Sequence, residues 1–339
     1  MTIIKKIINK VGNNIPFSIL HTISNEKLIL PFYHAISNNA MPHIENLYSI
    51  KNEKAFIKDL DFLLKHYQPI DYIKFKEFKI NDLQPIKPSF LLSFDDGLRE
   101  FHDIIAPILI KKGIPAICFV NTDFIDNKNL FYRYKASLII NEIRKNTEIR
   151  EKLRFSKIYS KDIYQYILSI SYKDKQELDD IAIDINLNFN DYLKSNSPYL
   201  TSNEIKSLIN KGFHFGSHSI DHPEFQYLDL ETQIIQTKES LNYLMNKFSL
   251  NYKIFSFPFT DFNVSIDYFN YIKKNEIFEF SFGTAGQKKD CIPFNIQRIP
   301  FENGNLSAEN ILKIELLYYL IKMPLSKNTI KRNGRNKII

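Results

Sequence analysis

Two carboxylates stand side by side at Asp95-Asp96, and two imidazoles stand four residues apart at His218 and His222. Adjacent carboxylates can divide labour: one binds a cation while the other takes a proton from a water that the cation has made more acidic. Two histidines at this spacing can converge on one ion where the segment turns, and histidine nitrogen with carboxylate oxygen is a normal ligand set for zinc. Such a set leaves the ion open to water and substrate. Each pattern also has an ordinary reading. Asp96-Gly97 fits a plain turn after a strand, and histidines also sit in cores or on surfaces with no ligand role.

The flanking sequence says what must position these groups. Ser89 to Phe94 is a short, largely apolar run that stops abruptly at Asp95-Asp96-Gly97, and Phe213 to Ser217 runs directly into His218. Both clusters therefore follow the carboxyl ends of predicted strands, where α/β barrels and open sheets keep their active sites. Further strands are expected at Lys27 to Tyr33, Pro115 to Val120, Lys253 to Phe257 and Phe278 to Phe282. They alternate with helical patterns: one with the stripe Phe101, Ile104, Ile105, Ile108 and Leu109, closed by Gly113, and others over Leu230 to Phe248, Ser265 to Lys274 and Ala308 to Ile321. Thr201-Ser202-Asn203-Glu204 reads as a capping box opening another helix. From about Asp126 to Tyr199 the alternation stops, and a polar, helical segment with apolar stripes such as Leu138, Ile139 and Ile143 predicts an inserted helical subdomain. The class is α/β.

Composition narrows the function. Hydrophobic residues make up 44% of 339 and charged residues 24%, as expected for a folded globular chain. The net charge of +7 is a modest excess, not the dense basic stripe of a nucleic-acid module, so nucleic acid is not an expected partner. Cys118 and Cys291 offer neither a disulfide framework nor a thiolate metal site, which fits a reducing compartment. The first residues lack the apolar run and cleavage site of a secretory signal, and no stretch approaches the ~20 apolar residues of a membrane span. A cytoplasmic location is expected. No feature of the sequence sets the oligomeric state.

Taken together, Ser93-Phe94-Asp95-Asp96-Gly97 and His218-Ser219-Ile220-Asp221-His222 resemble the first two motifs of the polysaccharide deacetylase family, the NodB-like carbohydrate esterases. The resemblance covers residues 27–125 and 201–305. It leaves 126–200 as a helical insertion and 306–339 as a C-terminal helix and basic tail. It implies a distorted (β/α)7 barrel and removal of acetyl groups, most often N-acetyl, from an acetylated carbohydrate. By the same resemblance Asp95 is the general base, and Asp96, His218 and His222 hold a divalent metal, Zn2+ by default with Co2+, Ni2+ or Mn2+ also suited.

The third motif departs from the family pattern. Phe255-Ser256-Phe257-Pro258-Phe259-Thr260 has no Arg to orient the base, although Phe257, Pro258 and Phe259 keep the aromatic and proline character of a substrate-contacting loop. This is similar to the biofilm poly-N-acetylglucosamine deacetylases, whose motif order is permuted and whose general-acid histidine precedes the Asp-Asp motif. His34, in Phe32-Tyr33-His34, occupies such a place and would be the acid, backed by a carboxylate such as Asp290 or Glu302. Arg298 could replace the missing Arg if its strand end lies near Asp95; otherwise it is a surface Arg with a solvated head. His214 is expected to be structural. A catalytically impaired carbohydrate-binding relative on the same barrel is the alternative reading, favoured by the missing Arg. A hydrolase of non-sugar amides on this scaffold is a third.

Two apolar and basic segments suggest peripheral contact with an anionic membrane surface. One is Ile3, Ile4, Ile7, Ile8 and Val11 with interleaved lysines, and the other is Ile311 to Leu325 followed by Lys327, Lys331, Arg332, Arg335 and Lys337.

Overall fold

The computed structural model describes residues 15–149, 162–302, 304, 306–325 and 327–334. Apolar runs covered on both faces become strands of a parallel sheet; all five residues of Ala116–Val120, for example, are buried. In chain order the central strands are β1 (Pro31–Tyr33), β2 (Leu92–Phe94), β3 (Ala116–Val120), β4 (His214–Ser217), β5 (Ile254–Ser256) and β6 (Phe280–Gly283), each parallel to the next. The last, β7, is one stretch in two parts. Asn295–Gln297 pairs with β6, and Ile299–Pro300 pairs with β1. Eight hydrogen-bonded segments thus make seven strands, and the ring closes through Arg298. Its N–H donates to the Gly283 carbonyl at 3.1 Å, and Ile299 donates to Leu30 at 2.8 Å. This is the distorted (β/α)7 barrel expected from the sequence.

The expected strands Lys27 to Tyr33 and Ser89 to Phe94 are each split. Leu28–Ile29 and Ser89–Phe90 leave the ring and pair with each other in a small outer sheet with Gln68–Pro69. The chain therefore bends between sheets at Leu30 and Leu91.

Around the ring lie α1 (Phe17–Ser24), α2 (Glu53–His66), α3 (Tyr72–Ile80) and α4 (Ala106–Lys112), the last entered through a π-helical turn at Phe101–Ile105 and closed by Gly113 at φ +65°. The insertion follows as α5 (Tyr132–Lys145), α6 (Ile163–Ser169), α7 (Gln176–Asp184) and α8 (Phe189–Asn196). Its apolar stripes make a core of their own, in which Ile139, Ile143, Ile167, Leu178 and Ile181 meet Met41 and Ile44 from the segment after β1. The barrel resumes with α9 (Ser202–Asn210), whose Thr201 and Glu204 form the expected capping box, then α10 (Leu230–Phe248), α11 (Ile266–Lys274) and α12 (Ala308–Lys322).

Helix α12 packs against α1 and α2, burying Ile311, Leu312, Ile314 and Leu316. Most of the apolar face expected to meet lipid is therefore spent on the protein core, although Ile321, Met323 and Leu325 remain exposed. Arg332 does not belong to a solvated basic tail. Its side chain is only 2% exposed and pairs with Asp261 and Asp290. The basic N-terminal segment and Arg335 and Lys337 lie outside the described residues. No helix of the described residues is long and apolar enough to cross a membrane.

Candidate active site

At the end of β2 the backbone turns through Asp96 and Gly97, both left-handed at φ +72° and +63°. A side chain at position 97 would be strained and would also strike Val120, because a Cβ there would lie 2.8 Å from its Cγ1. This turn sends the two neighbouring carboxylates to different partners. Asp95 points into the barrel, and Asp96 points to the loop after β4.

That loop is tied down residue by residue. His218 N–H donates to the Val120 carbonyl at 2.9 Å, Asn121 Nδ2 donates to the His218 carbonyl, and His222 N–H donates to Ser219 Oγ at 3.1 Å. Ser219 and His222 adopt φ +75° and +63°, so with Asp96 three non-glycine residues hold costly left-handed backbone around one point, a pattern that collects at functional sites. His218 Nδ1 pairs with the Ser256 carbonyl at 2.9 Å, which makes Nδ1 the protonated nitrogen and leaves Nε2 its lone pair. Burial lowers the His218 pKa to about 4, so the ring is neutral at pH 7, the form in which a histidine can bind a cation.

Asp96 Oδ1 lies 3.2 Å from His222 Nε2 and 3.5 Å from His218 Nε2. This oxygen is buried and has no hydrogen-bond partner, although burial without one is costly. Three ligand atoms lying within 4.8 Å of one another, one of them an unsatisfied carboxylate oxygen, suit a divalent cation. The other oxygen, Oδ2, accepts from Tyr134 of α5 at 3.0 Å. Burial opposes ionisation of Asp96, but the facing His222 outweighs it and holds the carboxyl below the usual range.

Arg298 lies in the closing strand and is fully buried. Its guanidinium grips Asp95 with two bonds, Nη1 to Oδ1 at 2.8 Å and Nη2 to Oδ2 at 2.7 Å. It also donates to Ser93 Oγ at 3.1 Å and to Ser256 Oγ at 2.6 Å, and lies 4.3 Å from the Phe32 ring centroid. Burial alone would raise the Asp95 pKa; Arg298 outweighs it, and the pKa is lowered. In the Phe255 to Thr260 stretch, where the family carries an Arg, this chain supplies the small Ser256, and the guanidinium arrives from the neighbouring wall instead.

His34 leaves the end of β1 into the same cleft, its Nδ1 2.6 Å from Glu302 Oε2, while the other oxygen of Glu302 accepts from Ala35 N–H at 3.0 Å. Burial lowers the His34 pKa, but Glu302 more than reverses this and raises it to about 9. Of the two carboxylates proposed to back His34, Glu302 takes the place. Asp290 lies with Arg332, because the short strand carrying it pairs with Thr329–Ile330 near the chain end.

The cleft over these groups holds about 490 Å³ and has aromatic and aliphatic walls that include Phe32, Tyr48, Phe131, Leu168, Phe257 and Phe259. Phe259 is exposed, at φ +55°, with its ring 4.6 Å from that of His222. Phe257 reaches the cleft from the core, whereas Pro258 is buried and does not line it. His214 packs between Tyr72 and Tyr252 on the barrel wall, away from the cluster. Sequence reasoning missed Tyr134, Tyr48 and Ser256. The aromatic run Phe131-Tyr132-Arg133-Tyr134 at the start of a polar helix was the available signal for the first.

A sequence model of the polysaccharide deacetylase family matches residues 83–275. No curated protein sequence matches the chain. Among solved structures, the Streptococcus pyogenes deacetylase PplD in complex with acetate is similar at a TM-score of 0.56 and 17% identity, with 85% of this chain and 98% of that chain covered. IcaB from Ammonifex degensii is similar at 0.53 and 12%, covering 86% and 97%. A de-N-acetylase from Aggregatibacter actinomycetemcomitans is similar at 0.50 and 14%, covering 83% and 95%. At these identities the likeness is one of fold. The sequence match takes in more than half of the chain, including the Asp-Asp turn and both histidines, and on that ground the chain belongs to the polysaccharide deacetylase family of carbohydrate hydrolases.

Proposed function

We propose that this protein hydrolyses an acetyl group, in the first instance N-acetyl, from a carbohydrate, polysaccharide or glycan precursor, using one divalent cation held by Asp96, His218 and His222. The observation that carries the reading is the buried Arg298 clamp on Asp95, set beside three converging ligand atoms and facing a His34 that Glu302 keeps charged. When bound, the cation supplies Lewis acidity toward the acetyl carbonyl and the attacking water; zinc is the default for this donor set, with cobalt, nickel or manganese also suited.

The chain's own groups do the proton work. Asp95, held ionised and oriented by Arg298, takes a proton from the water whose oxygen attacks the acetyl carbon. His34 delivers a proton to the sugar nitrogen as the carbon–nitrogen bond breaks, releasing acetate and the free amine. Phe257 and Phe259 offer aromatic surface to the sugar, with Pro258 shaping the turn between them. A non-catalytic, carbohydrate-binding role drew its support from the missing third-motif Arg, and Arg298 removes that support. The position of His34 ahead of the Asp-Asp motif supports placement near the permuted biofilm branch.

Acetate release from N-acetylated sugar oligomers, with and without added zinc, tests the reading; release that survives complete chelation, or none on any acetylated sugar, overturns it. The location we propose is cytoplasmic, at the inner membrane surface. It is supported by the lysine-interleaved apolar run at Ile3 to Val11 and by the exposed Ile321, Met323 and Leu325. Failure to co-sediment with anionic vesicles at low salt would refute it.

A further inference from the structure

The helical insertion touches the candidate cation site at three separate points. Tyr134 of α5 donates its hydroxyl hydrogen to Asp96 Oδ2 at 3.0 Å, which occupies one carboxylate oxygen and leaves Oδ1, the one facing both histidines, for the cation. The ring of Phe131, just before α5, lies 4.3 Å from the ring of His222. Between the two histidines, Asp221 accepts from Tyr172 of the insertion at 2.8 and 2.9 Å and from its Lys175 at 2.6 Å. On the barrel side the same carboxylate accepts from Gln236 of α10 at 2.8 Å, and Gln236 Oε1 accepts from the Ile220 N–H at 3.0 Å. The histidine loop is thus clamped between barrel and insertion, and the Asp96 carboxylate is turned by the insertion. Tyr134 is itself fully buried, stacked with Tyr199 and wedged against Phe131.

We propose that the insertion is a working part of the metal-binding apparatus, with Tyr134 as the positioning residue that orients Asp96, so that cation binding and closure of the insertion onto the barrel stabilise each other. This rests on the reading of Asp96, His218 and His222 as a cation site. The physical basis is twofold. A ligating carboxylate with one oxygen fixed by an outer hydrogen bond loses less freedom on binding, and removal of such a partner typically weakens metal affinity 10- to 100-fold. Groups that bind only the assembled state stabilise that state by mass action, so the cation must in turn hold the insertion down.

Zinc affinity is measured by competition with a chromophoric chelator for the wild type, Tyr134→Phe and Tyr132→Phe. Tyr134→Phe keeps the ring and its packing and removes only the hydroxyl; affinity is expected to fall about 10- to 100-fold. Tyr132 bonds to Glu224 and not to a ligand, so Tyr132→Phe is expected to match the wild type. Hydrogen exchange supplies the second readout: zinc should slow exchange in amides of residues 132–145 in the wild type and much less in Tyr134→Phe, which a merely structural tyrosine would not produce. Wild-type zinc affinity in Tyr134→Phe, or zinc protection confined to the barrel, overturns the proposal while leaving the cation site intact. A wild type that binds no zinc overturns the cation site, and the proposal with it.

Discussion

Replacing Arg298 by Met keeps most of the buried stem and removes the guanidinium from Asp95. The carboxylate is 2% exposed and its partner fully buried, so solvent cannot take over the charge. Breaking a buried ion pair from one side costs about 3–5 kcal/mol, because the remaining charge is left without compensation. The stacking of the guanidinium on Phe32, at 4.3 Å, is lost as well and adds roughly 0.5–2 kcal/mol. With a urea dependence of about 3 kcal/mol per molar, the unfolding midpoint should fall by more than about 1 M. The measurement is urea unfolding with the cation chelated, so that its charge cannot stand in for the missing guanidinium. Adding Asp95→Asn to Arg298→Met removes the orphaned charge, so the double variant should be more stable than the sum of the two single losses predicts, by about 2 kcal/mol or more. A loss below about 1 kcal/mol for Arg298→Met, or strict additivity in the cycle, would refute the idea that Arg298 sustains the Asp95 carboxylate.

Asp95→Asn should retain its metal and lose about 10² or more in turnover, the scale of a general base; an unchanged rate would move the base elsewhere. Purified protein should carry about one divalent cation per chain, which Asp96→Ala, His218→Ala and His222→Ala should each lose, as elemental analysis would reveal. His34, with its pKa raised to about 9, is charged at neutral pH, so activity that needs it as an acid should fall as the pH rises through about 9. Glu302→Gln leaves burial unopposed by its main partner, and the alkaline limb of the rate profile should move down toward or below the ordinary histidine pKa; an unmoved limb would exclude His34 as the titrating acid. Arg332→Ala leaves Asp261 and Asp290 facing each other at 2% and 0% side-chain exposure and should cost about 3–5 kcal/mol in thermal or urea unfolding, with recovery when both are changed to Asn.

The parts of the fold with strong local grammar were legible. The buried run Ala116–Val120, the capping box at Thr201 and Glu204, the left-handed Gly113 and the helix Leu230–Phe248 all follow from patterns a few residues wide. The Asp-Asp turn and the histidine pair were legible for the same reason. Helix α3 was not, because Tyr72, Ile73, Phe75, Phe78 and Ile80 spread around its axis and form no stripe. Strand β7 was obscured by the charged residue at its centre: Arg298 interrupts the apolar run because its head is needed inside the barrel, not outside. Pairings such as Arg298 with Asp95 and His34 with Glu302 depend on ring closure between distant segments, and no local spacing encodes them. Tyr134 was hidden because a tyrosine in an aromatic run ordinarily reads as packing.

Closure of the ring through residues 295–300 also fixes when the candidate site can first be complete. Asp95 meets Arg298 across 203 positions and His34 meets Glu302 across 268, so both pairs join segments that leave the ribosome far apart in synthesis. Long-range parallel pairings of this kind form late, after the entropy of closing very large loops has been overcome. Until residue 298 is made Asp95 lacks the guanidinium that grips it, and the wall between β6 and β1 has no strand where β7 will lie. A chain ending before residue 295 would lack the strand, the guanidinium and the Glu302 carboxylate together, and would leave the ring unclosed and the candidate site incomplete. The candidate site is therefore assembled only once synthesis has passed residue 302.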